Sequence, residues 1–536
     1  MVFSLFHRNL LARNLKVVVL LLALLFVLRS VHISLHTRVT DVPLILKSPK
    51  NSSSRYEYAN DRDYSPEAIK RRIQAAQLKS KVLIKNQSRT PEQAVAEYKH
   101  RYHREPPKGF SEWVQFALDH DSKVIDDFDQ IDRDLAPYRT AEAQQVFQHI
   151  HEQRGDWQHT RRVVIRNGEM NTSQGYMYDA YWERLFAPFL HALPNITFFM
   201  STIDEPRLLS KPGSRPDRIE FHEKSGQPIE ALVKDSCTEV PSELRRHIDE
   251  EKDVCKFSEP AKLHGLIESP ATMSYTHSLI PLLSFGKMTA FRDILIPCPC
   301  YVGHSLFEPD TLSFWDKNPI IYWRGSSTGS RASRLSWKQG HRQRFVSFVH
   351  SLQNAAKILD ACRYFGGNIH APEDKQIMLF KDVFDVHMGR YLQCDHDGDE
   401  TPCKNMELEL GTPLFEPEDT SRYYRYLFDL DGNSMSTRFY RLLSQQAVVL
   451  KQTWFEEWHD DRIIPWAHYI PVSMKMAELP ALINFLINDP EGEQLSAEVA
   501  HAGSEWSHQA LREIDMSIYI YRLLLELAEL DAAAGL

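Results

Sequence analysis

Beyond about residue 160, short runs of apolar residues alternate with stretches in which apolar residues recur every three or four positions. The short runs are typical of buried strands, and the second pattern predicts helices with one buried face. Such alternation is typical of layered α/β folds, in which ligands bind where the strands end. The predicted strands cover 163–165, 196–200, 320–323, 424–430 and 447–450, and the residues with helical spacing are Phe345, Phe348, Val349, Leu352, Phe439, Leu442 and Leu443.

The amino-terminal pattern is different, because residues 17–28 form one continuous apolar run between a lysine and an arginine. If these two side chains snorkel, residues 15–33 reach the roughly 20 residues that a bilayer core requires. We therefore predict a single-pass type II signal anchor preceded by a cytosolic tail over 1–14. A cleaved signal peptide has a hydrophobic segment of the same length, but residues 29–32 offer no small-x-small cleavage site.

Residues 34–100 are polar and basic with few large apolar side chains, which predicts a stem with one helix over 70–84. Four N-glycosylation sequons follow the predicted span, and this is consistent with a body on the lumenal side of the membrane. The sequons begin at Asn51, Asn86, Asn171 and Asn195.

Composition sets the size class and the kind of partner. At 536 residues the chain exceeds the usual size of one hydrophobic core, so we expect at least two domains. The net charge of −9 argues against nucleic acid, which binds electropositive surfaces, and favours an uncharged acceptor.

Seven cysteines predict a few disulfides and one remaining thiol, with Cys237–Cys255 and Cys394–Cys403 as the first pairs to test. Cys298-Pro-Cys300 is interpreted as structural, because no second pair stands at zinc-binding spacing.

The loop after the predicted strand 424–430 is the first candidate site. Asp431, Gly432 and Asn433 form a sharp turn, and 434–445 read as a helix capped by Asn433 or Ser434. A helix amino terminus attracts anions, and Arg438 in its first turns could bind two phosphate oxygens. The alternative is a capped helix with a surface arginine.

The loop after strand 320–323 is small and hydroxylated, with Arg324 and Arg331 at its ends and Gly325 and Ser326 between them. Glycines allow the backbone to approach a phosphate, and hydroxyls can donate to its oxygens. The loop lacks the Gly-Lys-Ser/Thr ending of a P-loop, which disfavours NTP hydrolysis. A plain Ser/Gly turn is the alternative. Arg342 and Arg344, in the following helix, are interpreted as surface charges.

The loop after strand 196–200 places Asp204 at the carboxyl end of a strand. A carboxylate there could accept the proton of an attacking hydroxyl group. From the residues alone, an aspartate that caps the turn before Pro206 explains the pattern better. Adjacent Glu205 points away on an extended segment, so the pair makes a poor glycosidase acid and base.

These loops lie within seven motifs: Pro106-Pro-Lys-Gly-Phe-Ser-Glu-Trp113, Ile125-Asp-Asp-Phe-Asp-Gln-Ile-Asp-Arg-Asp-Leu135, Asp204-Glu-Pro-Arg207, Trp323-Arg-Gly325, Tyr424-Arg-Tyr-Leu-Phe-Asp-Leu-Asp-Gly-Asn433, Ser436-Thr-Arg-Phe439 and Trp466-Ala-His-Tyr-Ile-Pro471. Over about residues 98–530 the sequence resembles glycosyltransferase family 90, which includes fungal capsule-associated xylosyltransferases and animal protein O-glucosyltransferases. The first two motifs look more like the fungal capsule-associated branch.

The resemblance implies an α/β fold of GT-B type, with two facing Rossmann-like domains and a central cleft. We expect an acceptor-side domain over 101–315, a donor-nucleotide domain over 316–490, and carboxyl-terminal helices over 491–536 that pack back on the first domain. It also implies inversion by direct displacement, with no metal and no tightly bound cofactor. By matching motifs, Asp204 is the base, and the donor-binding residues are Arg324, Gly325, Ser326, Arg331, Asp431, Gly432, Asn433, Ser436 and Arg438.

The branch resemblance favours UDP-xylose over UDP-glucose as donor, with a glycan or glycoprotein hydroxyl as acceptor. We expect a Golgi membrane protein with its catalytic part in the lumen, and the endoplasmic reticulum is the alternative compartment.

Two other functions stay open. A metal-dependent GT-A-like transferase would use Asp429 and Asp431, whereas a catalytically silent lumenal carbohydrate-binding protein would keep only the fold. Residues 126–134 are interpreted as an amphipathic helix with an acidic face and not as a calcium site.

Overall fold

The computed structural model describes residues 63–140, 146–147, 150, 156–211, 219–241, 252–303, 310–364, 376–395 and 398–533, which belong to a single compact unit. Over these ranges, none of the helices combines the length and the apolar character that a membrane span requires. The predicted tail, the signal anchor over 15–33, the first part of the stem and the sequon at Asn51 lie outside the described residues.

The first half of the described chain is built on a five-stranded mixed sheet. Its strand order is β2-β1-β3-β6-β7; β1 runs antiparallel to both neighbours, and β3, β6 and β7 are parallel. The expected Rossmann-like domain is therefore parallel in only three of these strands, because Asn167 and Gly168 turn β1 directly into a hairpin with β2. The strands are β1 (Thr160–Arg166), β2 (Glu169–Thr172), β3 (Ile196–Ser201), β6 (Leu282–Ser284) and β7 (Ile294–Leu295), with a separate pair of β4 (His222–Glu223) and β5 (Ser274–Tyr275).

The second half is built on five parallel strands in the order β12-β11-β10-β8-β9. These strands are β8 (Asn318–Ser326), β9 (Phe384–Arg390), β10 (Tyr424–Leu430), β11 (Val448–Gln452) and β12 (Ile470–Pro471). The mixed α/β class is confirmed. All five runs predicted as strands fall within or overlap observed strands, and 424–430 is reproduced to the residue.

The helices of the described residues are α1 (Pro66–Lys85), α2 (Pro91–Tyr102), α3 (Phe110–Asp119), α4 (Asp129–Leu135), α5 (Asp179–Phe186), α6 (Glu230–Glu239), α7 (Gly265–Glu268), α8 (His341–Tyr364), α9 (Thr401–Leu410), α10 (Phe439–Ser444), α11 (Leu479–Leu486), α12 (Pro490–Ala510) and α13 (Glu513–Ala533). Helix α4 buries Ile131 and Leu135, as its spacing predicts. Its acidic residues are only partly solvated, since Asp134 is buried and pairs with Lys287.

The end of the predicted stem packs onto the body. Ile69, Ile73 and Ala76, one face of α1, are buried in the hydrophobic core of the second half. Tyr98 of α2 is buried in the core of the first half. This segment therefore departs from a free polar spacer, because the three α1 residues recur at helical spacing and form an apolar stripe.

Helices α12 and α13 connect the two halves. Leu495 and Val499 of α12 belong to the core of the second half, whereas Trp506 of the same helix and Tyr519 of α13 belong to the core of the first. The indole nitrogen of Trp113 donates to a carbonyl oxygen of α13. The chain end thus packs on the first half.

The cysteine pairs Cys237–Cys255 and Cys394–Cys403 are disulfides, as the sequence predicts, and Cys298 is bonded to Cys300. The side chain of Cys362 lies outside the described set. The sequon asparagines Asn86, Asn171 and Asn195 are exposed.

Candidate active site

A cavity of about 510 Å³ lies at the carboxyl ends of β8 and β10. It is enclosed by the loops that leave these strands, by the start of α8 and by residues 414–418. Asp204 adds a side chain from the first half of the chain. Seven of the predicted site residues line this cavity: Asp204, Arg324, Gly325, Ser326, Gly432, Asn433 and Arg438.

Asp204 stands three residues after β3. The loop that contains it is fixed by the contacts of Arg207. The guanidinium of Arg207 is fully buried and donates to three carbonyl oxygens of neighbouring segments at 2.6–2.7 Å. Its backbone nitrogen donates to the buried carboxylate of Asp293 at 2.9 Å. The Asp204 side chain remains open to solvent through the cavity, yet the surrounding protein removes part of its hydration and raises its pKa. The loop thus offers an anchored carboxylate with increased basicity.

Arg438 lies in the segment that follows β10, and its side chain reaches β8. Its guanidinium donates to the carbonyl oxygen of Arg324 at 2.6 Å and lies 5.8 Å from the ring centre of Trp323. Gly325 permits this approach, since a Cβ atom there would lie 2.6 Å from the Trp323 ring and 3.0 Å from an Arg438 nitrogen. Arg438 therefore joins the two loops at the cavity wall.

The helix predicted over 434–445 is wrong in its start, because α10 begins only at Phe439 and has Arg438 at its N-cap. The side chain of Asn433 accepts a hydrogen bond from Gly329 N instead of capping the helix. Ser436 donates to Asp429, and its carbonyl oxygen accepts from the hydroxyl of Tyr301, so these bonds hold the segment out of helical form. With six residues, α10 does not provide the anion-binding terminus that was expected.

Arg342, interpreted from sequence as a surface charge, is buried in the cavity wall. Its guanidinium donates to the carbonyl oxygens of Asp431 at 2.7 Å and Ser326 at 3.0 Å, and to the hydroxyl of Thr328 at 2.8 Å. It therefore connects the loops after β8 and β10. One sequence signal could have revealed it: Arg342 shares a helical stripe with buried Phe345, Val346 and Val349.

Arg342 and Arg438 are two cations without an ionic partner. Every hydrogen bond that their guanidinium groups make to described residues goes to an uncharged oxygen. Burial lowers the pKa of both groups, and for Arg342, with a pKa of about 9, the positive charge of Arg438 adds to this effect. Two like charges that line one cavity, one buried and one half-buried, favour the binding of an anion between them.

Arg324 has a different role, because its guanidinium is already neutralised. It pairs with Asp385 at 2.6 Å and with Glu416 at 2.8 Å. The hydroxyl of Tyr322 donates to the same Glu416 at 3.0 Å. This network holds Arg324 in the cavity wall, so Arg324 has less free charge to offer an anion than Arg342 and Arg438 have. Arg390, which also lines the cavity, lies over the ring of Phe415.

Three predicted site residues do not line the cavity. The Arg331 side chain packs against Gly226, and its backbone nitrogen donates to the carbonyl oxygen of Ser269. The Asp431 carboxylate points into the core, where it accepts from Trp454 N at 3.1 Å and contacts His264 Nε2 at 3.2 Å. Ser436 is buried against Asp429, as described above. Arg334, the alternative to Arg331, is exposed and paired with Asp399.

The carboxylates of Asp429 and Asp431 face different partners, which disfavours a shared metal site. Asp429 contacts the ammonium group of Lys451 at 3.0 Å, whereas Asp431 is held by His264 and Trp454. Within the described part of the chain, no three His, Cys, Asp or Glu side chains are grouped as metal ligands would be. Asp429 and Asp431 thus have separate partners, whereas Arg342 and Arg438 both line the cavity.

Comparison with known proteins finds a family model that matches part of the chain. Residues 367–533 match the family model of Glycosyl transferase family 90. The chain is 24% identical over 267 residues to human Protein O-glucosyltransferase 1, covering 48% of this chain and 59% of that protein. It is 27% identical over 253 residues to the O-glucosyltransferase rumi homolog of Anopheles gambiae (46% and 55%) and 22% identical over 252 residues to O-glucosyltransferase rumi of Drosophila melanogaster (46% and 53%).

The matches cover somewhat more than half the length of these relatives. The family model includes the loop after β10 and Arg438, whereas Asp204, the loop after β8 and Arg342 lie before it. These findings confirm the family 90 resemblance seen in the motifs.

Proposed function

We propose that this chain, similar to glycosyl transferase family 90 over residues 367–533, transfers a sugar from a UDP-sugar to an acceptor hydroxyl with inversion, with Asp204 as the base. One observation carries the proposal. Buried Arg342 and half-buried Arg438, which form no ion pair with a carboxylate of the described residues, line the same cavity as the Asp204 carboxylate from the other half of the chain. This arrangement supports a cationic binding site and a proton acceptor around one space.

In the proposed reaction, the Asp204 carboxylate accepts the proton of the acceptor hydroxyl as its oxygen attacks the anomeric carbon. The new C–O bond forms as the bond from the anomeric carbon to the UDP oxygen breaks, and the electron pair of that bond leaves with UDP. Arg342 and Arg438 neutralise the charge that develops on the diphosphate. Because two cations already lie in the cavity wall, we propose that no metal is required and that UDP-sugar is the only cosubstrate.

The GT-B arrangement is part of the same proposal. It assigns the acceptor side to 101–315 and the donor side to 316–490. The position of the cavity at the carboxyl ends of β8 and β10, with Asp204 as the contribution of the first half, supports this division. The relatives named as O-glucosyltransferases support a hexose donor, whereas the motifs of the fungal branch favour xylose. We propose UDP-xylose as the first donor to test and UDP-glucose as the second.

We also propose that the chain is a type II Golgi membrane protein with its body in the lumen, acting on a glycan or glycoprotein. Three exposed sequon asparagines and three disulfides support an oxidising, lumenal environment. Localisation of a tagged chain, with and without a glycosidase digest of its sequons, tests this part.

The activity is tested by incubating the purified full-length chain with a panel of UDP-sugars in EDTA and measuring UDP release. We expect release from one donor, and loss of release in chelator would revive the metal-dependent alternative. Asp204→Asn should reduce turnover at least a hundredfold without changing the affinity for UDP, whereas exposed Asp235→Asn should retain it. If no UDP-sugar is turned over while UDP still binds, the silent carbohydrate-binding protein becomes the better description.

A further inference from the structure

We propose that Tyr176 and Tyr178 form an acceptor platform beside Asp204, built to hold an uncharged sugar ring. This inference rests on the proposed function of Asp204 and extends it to the substrate class on the acceptor side. The two residues lie in the segment between β2 and α5, in the first half of the chain, whereas Arg342 and Arg438 belong to the second half.

The platform segment lies beside the strand end that leads to the proposed base, because Gln174 donates to the carbonyl oxygen of Thr160, and Thr160 pairs with Ser201, three residues before Asp204. Burial raises the pKa of both phenols, and the negative charge of Asp204 is the second cause in each case. The rings of Tyr176 and Tyr178 meet edge to face with centres 5.4 Å apart, and Tyr181 continues the cluster 6.1 Å beyond Tyr178. A ring bound on these side chains would therefore lie next to the carboxylate.

The segment is held by specific contacts. The backbone nitrogen of Tyr176 donates to one carboxylate oxygen of Asp179 at 2.8 Å, and Arg161 binds the other oxygen at 2.5 Å. The side chain of Gln174 donates to the carbonyl oxygen of Thr160 in β1 at 2.8 Å. These bonds connect the tyrosine segment to the sheet, so the rings are pre-positioned.

The exposed chemistry of the platform suits a sugar. All three tyrosines are half-buried, and none of their hydroxyls makes a hydrogen bond to another described residue. Each ring thus presents an apolar surface and a free polar group, and such amphipathic rings suit a partner that is apolar on one side and polar at its edge. A pyranose has this character, with C–H groups on its face and hydroxyls around its rim.

The local charges favour an uncharged ligand. The guanidinium of Arg161 lies 5.7 Å from the centre of the Tyr176 ring, but its charge is balanced by Asp179. Arg161 is therefore already paired, and Asp204 would repel an acidic sugar. Among acceptors, a neutral glycan fits this surface better than an anionic glycan.

The test uses the full-length chain, its preferred UDP-sugar, a panel of methyl glycosides that contains neutral sugars and one uronic acid, and a serine-containing peptide. In Tyr176→Ala and Tyr178→Ala we expect the KM for a neutral methyl glycoside to rise at least tenfold. The KM for UDP-sugar and the slow transfer to water should stay within twofold. Tyr176→Phe, which retains the ring and loses the hydroxyl, should raise the acceptor KM by a smaller factor. Exposed Tyr423→Ala is the matched control and should change neither constant.

Several outcomes would overturn the platform. An unchanged acceptor KM in both alanine variants would do so, as would a preference for the uronic acid or for a serine-containing peptide over every neutral glycoside. Failure of the underlying function is distinguishable, because then Asp204→Asn would retain transfer to water whatever the tyrosine variants do. Tyr176→Phe and the transfer to water also distinguish an effect on acceptor binding from a loss of folding.

Discussion

At the residue scale, Arg342 carries more of the proposed donor site than Arg331, although the sequence favoured Arg331. Arg342 faces the cavity and connects the loops through Ser326 and Asp431, whereas Arg331 packs on Gly226. We predict that Arg342→Gln weakens UDP binding at least tenfold, equivalent to about 1.4 kcal/mol, because a charged hydrogen-bond donor is lost from the anion site. Calorimetric titration with UDP measures this.

Arg331→Gln is the control for that substitution, and it should change UDP affinity less than twofold. Thermal unfolding of both variants shows whether any loss of affinity comes from a disordered loop. Equal affinity of the Arg342 variant and the unaltered chain would contradict the proposed anion site. Greater loss in the Arg331 variant would restore the assignment made from sequence.

The raised pKa of Asp204 predicts the acidic limb of the pH–rate profile. A base works only when ionised, so a pKa above the ordinary aspartate value moves the loss of kcat/KM to higher pH. We therefore expect activity to fall on acidification through a pKa above 3.8, the ordinary value. Initial rates between pH 4 and 8 test this, with fluorescence as a check on folding. A limb at or below 3.8 would remove Asp204 from the role of base.

The residues that sequence analysis located share one property: they stand where a predicted strand ends. Asp204 lies three residues after β3, Arg438 lies eight residues after β10, and Arg324 lies in the last part of β8. Strand prediction therefore located their loops, whereas the family motifs assigned their roles. Side-chain direction was not predictable in the same way. Asp431 follows the same strand end as Arg438, yet its carboxylate turns into the core toward His264, a contact between residues 167 positions apart.

At the element scale, β8, β10 and β11 of the second half were predictable because each contains a largely apolar run. β9 and β12 were not predicted, since β9 mixes polar with apolar residues and β12 has only two residues. The start of α10 was not, since Asn433 and Ser436 have hydroxyl or amide groups that compete for backbone partners. Their partners, Gly329 and Asp429, come from the neighbouring loop and from β10. The hairpin of β1 and β2 had a usable signal in Asn167-Gly168, a pair typical of two-residue turns.

The loop after β8 depends on one glycine. Gly329 has a φ of +108°, and a Cβ atom there would lie 2.5 Å from His341 Cε1 and 3.0 Å from the carbonyl oxygen of Gly432. We predict that Gly329→Ala lowers the free energy of unfolding by about 1–3 kcal/mol and weakens UDP binding, because it separates the two phosphate-facing loops. Urea denaturation and UDP titration measure the two effects.

Gly411→Ala is the matched control, because Gly411 has a similar φ of +96° but open space around it. It should show the backbone strain alone and leave UDP affinity unchanged. Equal stability and equal affinity in the two variants would mean that the close contact with His341 has no role in shaping the site.

At the scale of the whole molecule, the mixed α/β class was predictable from the alternating pattern of apolar runs. The mixed sheet of the first half was not, since β6 and β7 have three and two residues and too little sequence for any periodicity. The attachment of α1 was overlooked because its polar composition outweighed the stripe of Ile69, Ile73 and Ala76. Composition averages over a helix, whereas packing depends on one face of it.

His468 lies where α1, α12 and the core of the second half meet, and it connects whole-molecule stability to pH. It is buried, its Nδ1 accepts from Ile464 N at 3.0 Å, its Nε2 lies 3.2 Å from the hydroxyl of Ser80, and its ring stacks on Trp506. Burial lowers its pKa from 6.5 to about 4. The unfolded chain therefore binds a proton between pH 6.5 and 4 that the folded chain excludes.

A folded-state pKa below the unfolded value contributes stability that is present above pH 6.5 and is lost as the pH falls toward 4. We predict that the stability advantage of the unaltered chain over His468→Asn shrinks by about 1.4 kcal/mol per pH unit in this window, and by about 3 kcal/mol in all. Urea denaturation of both proteins at half-unit steps from pH 4.5 to 7.5 gives the difference. Exposed His501→Asn should give a difference that does not change with pH. If the His468 difference is equally flat, its imidazole does not exclude the proton in the folded state, and the joint between α1 and α12 does not depend on a neutral histidine.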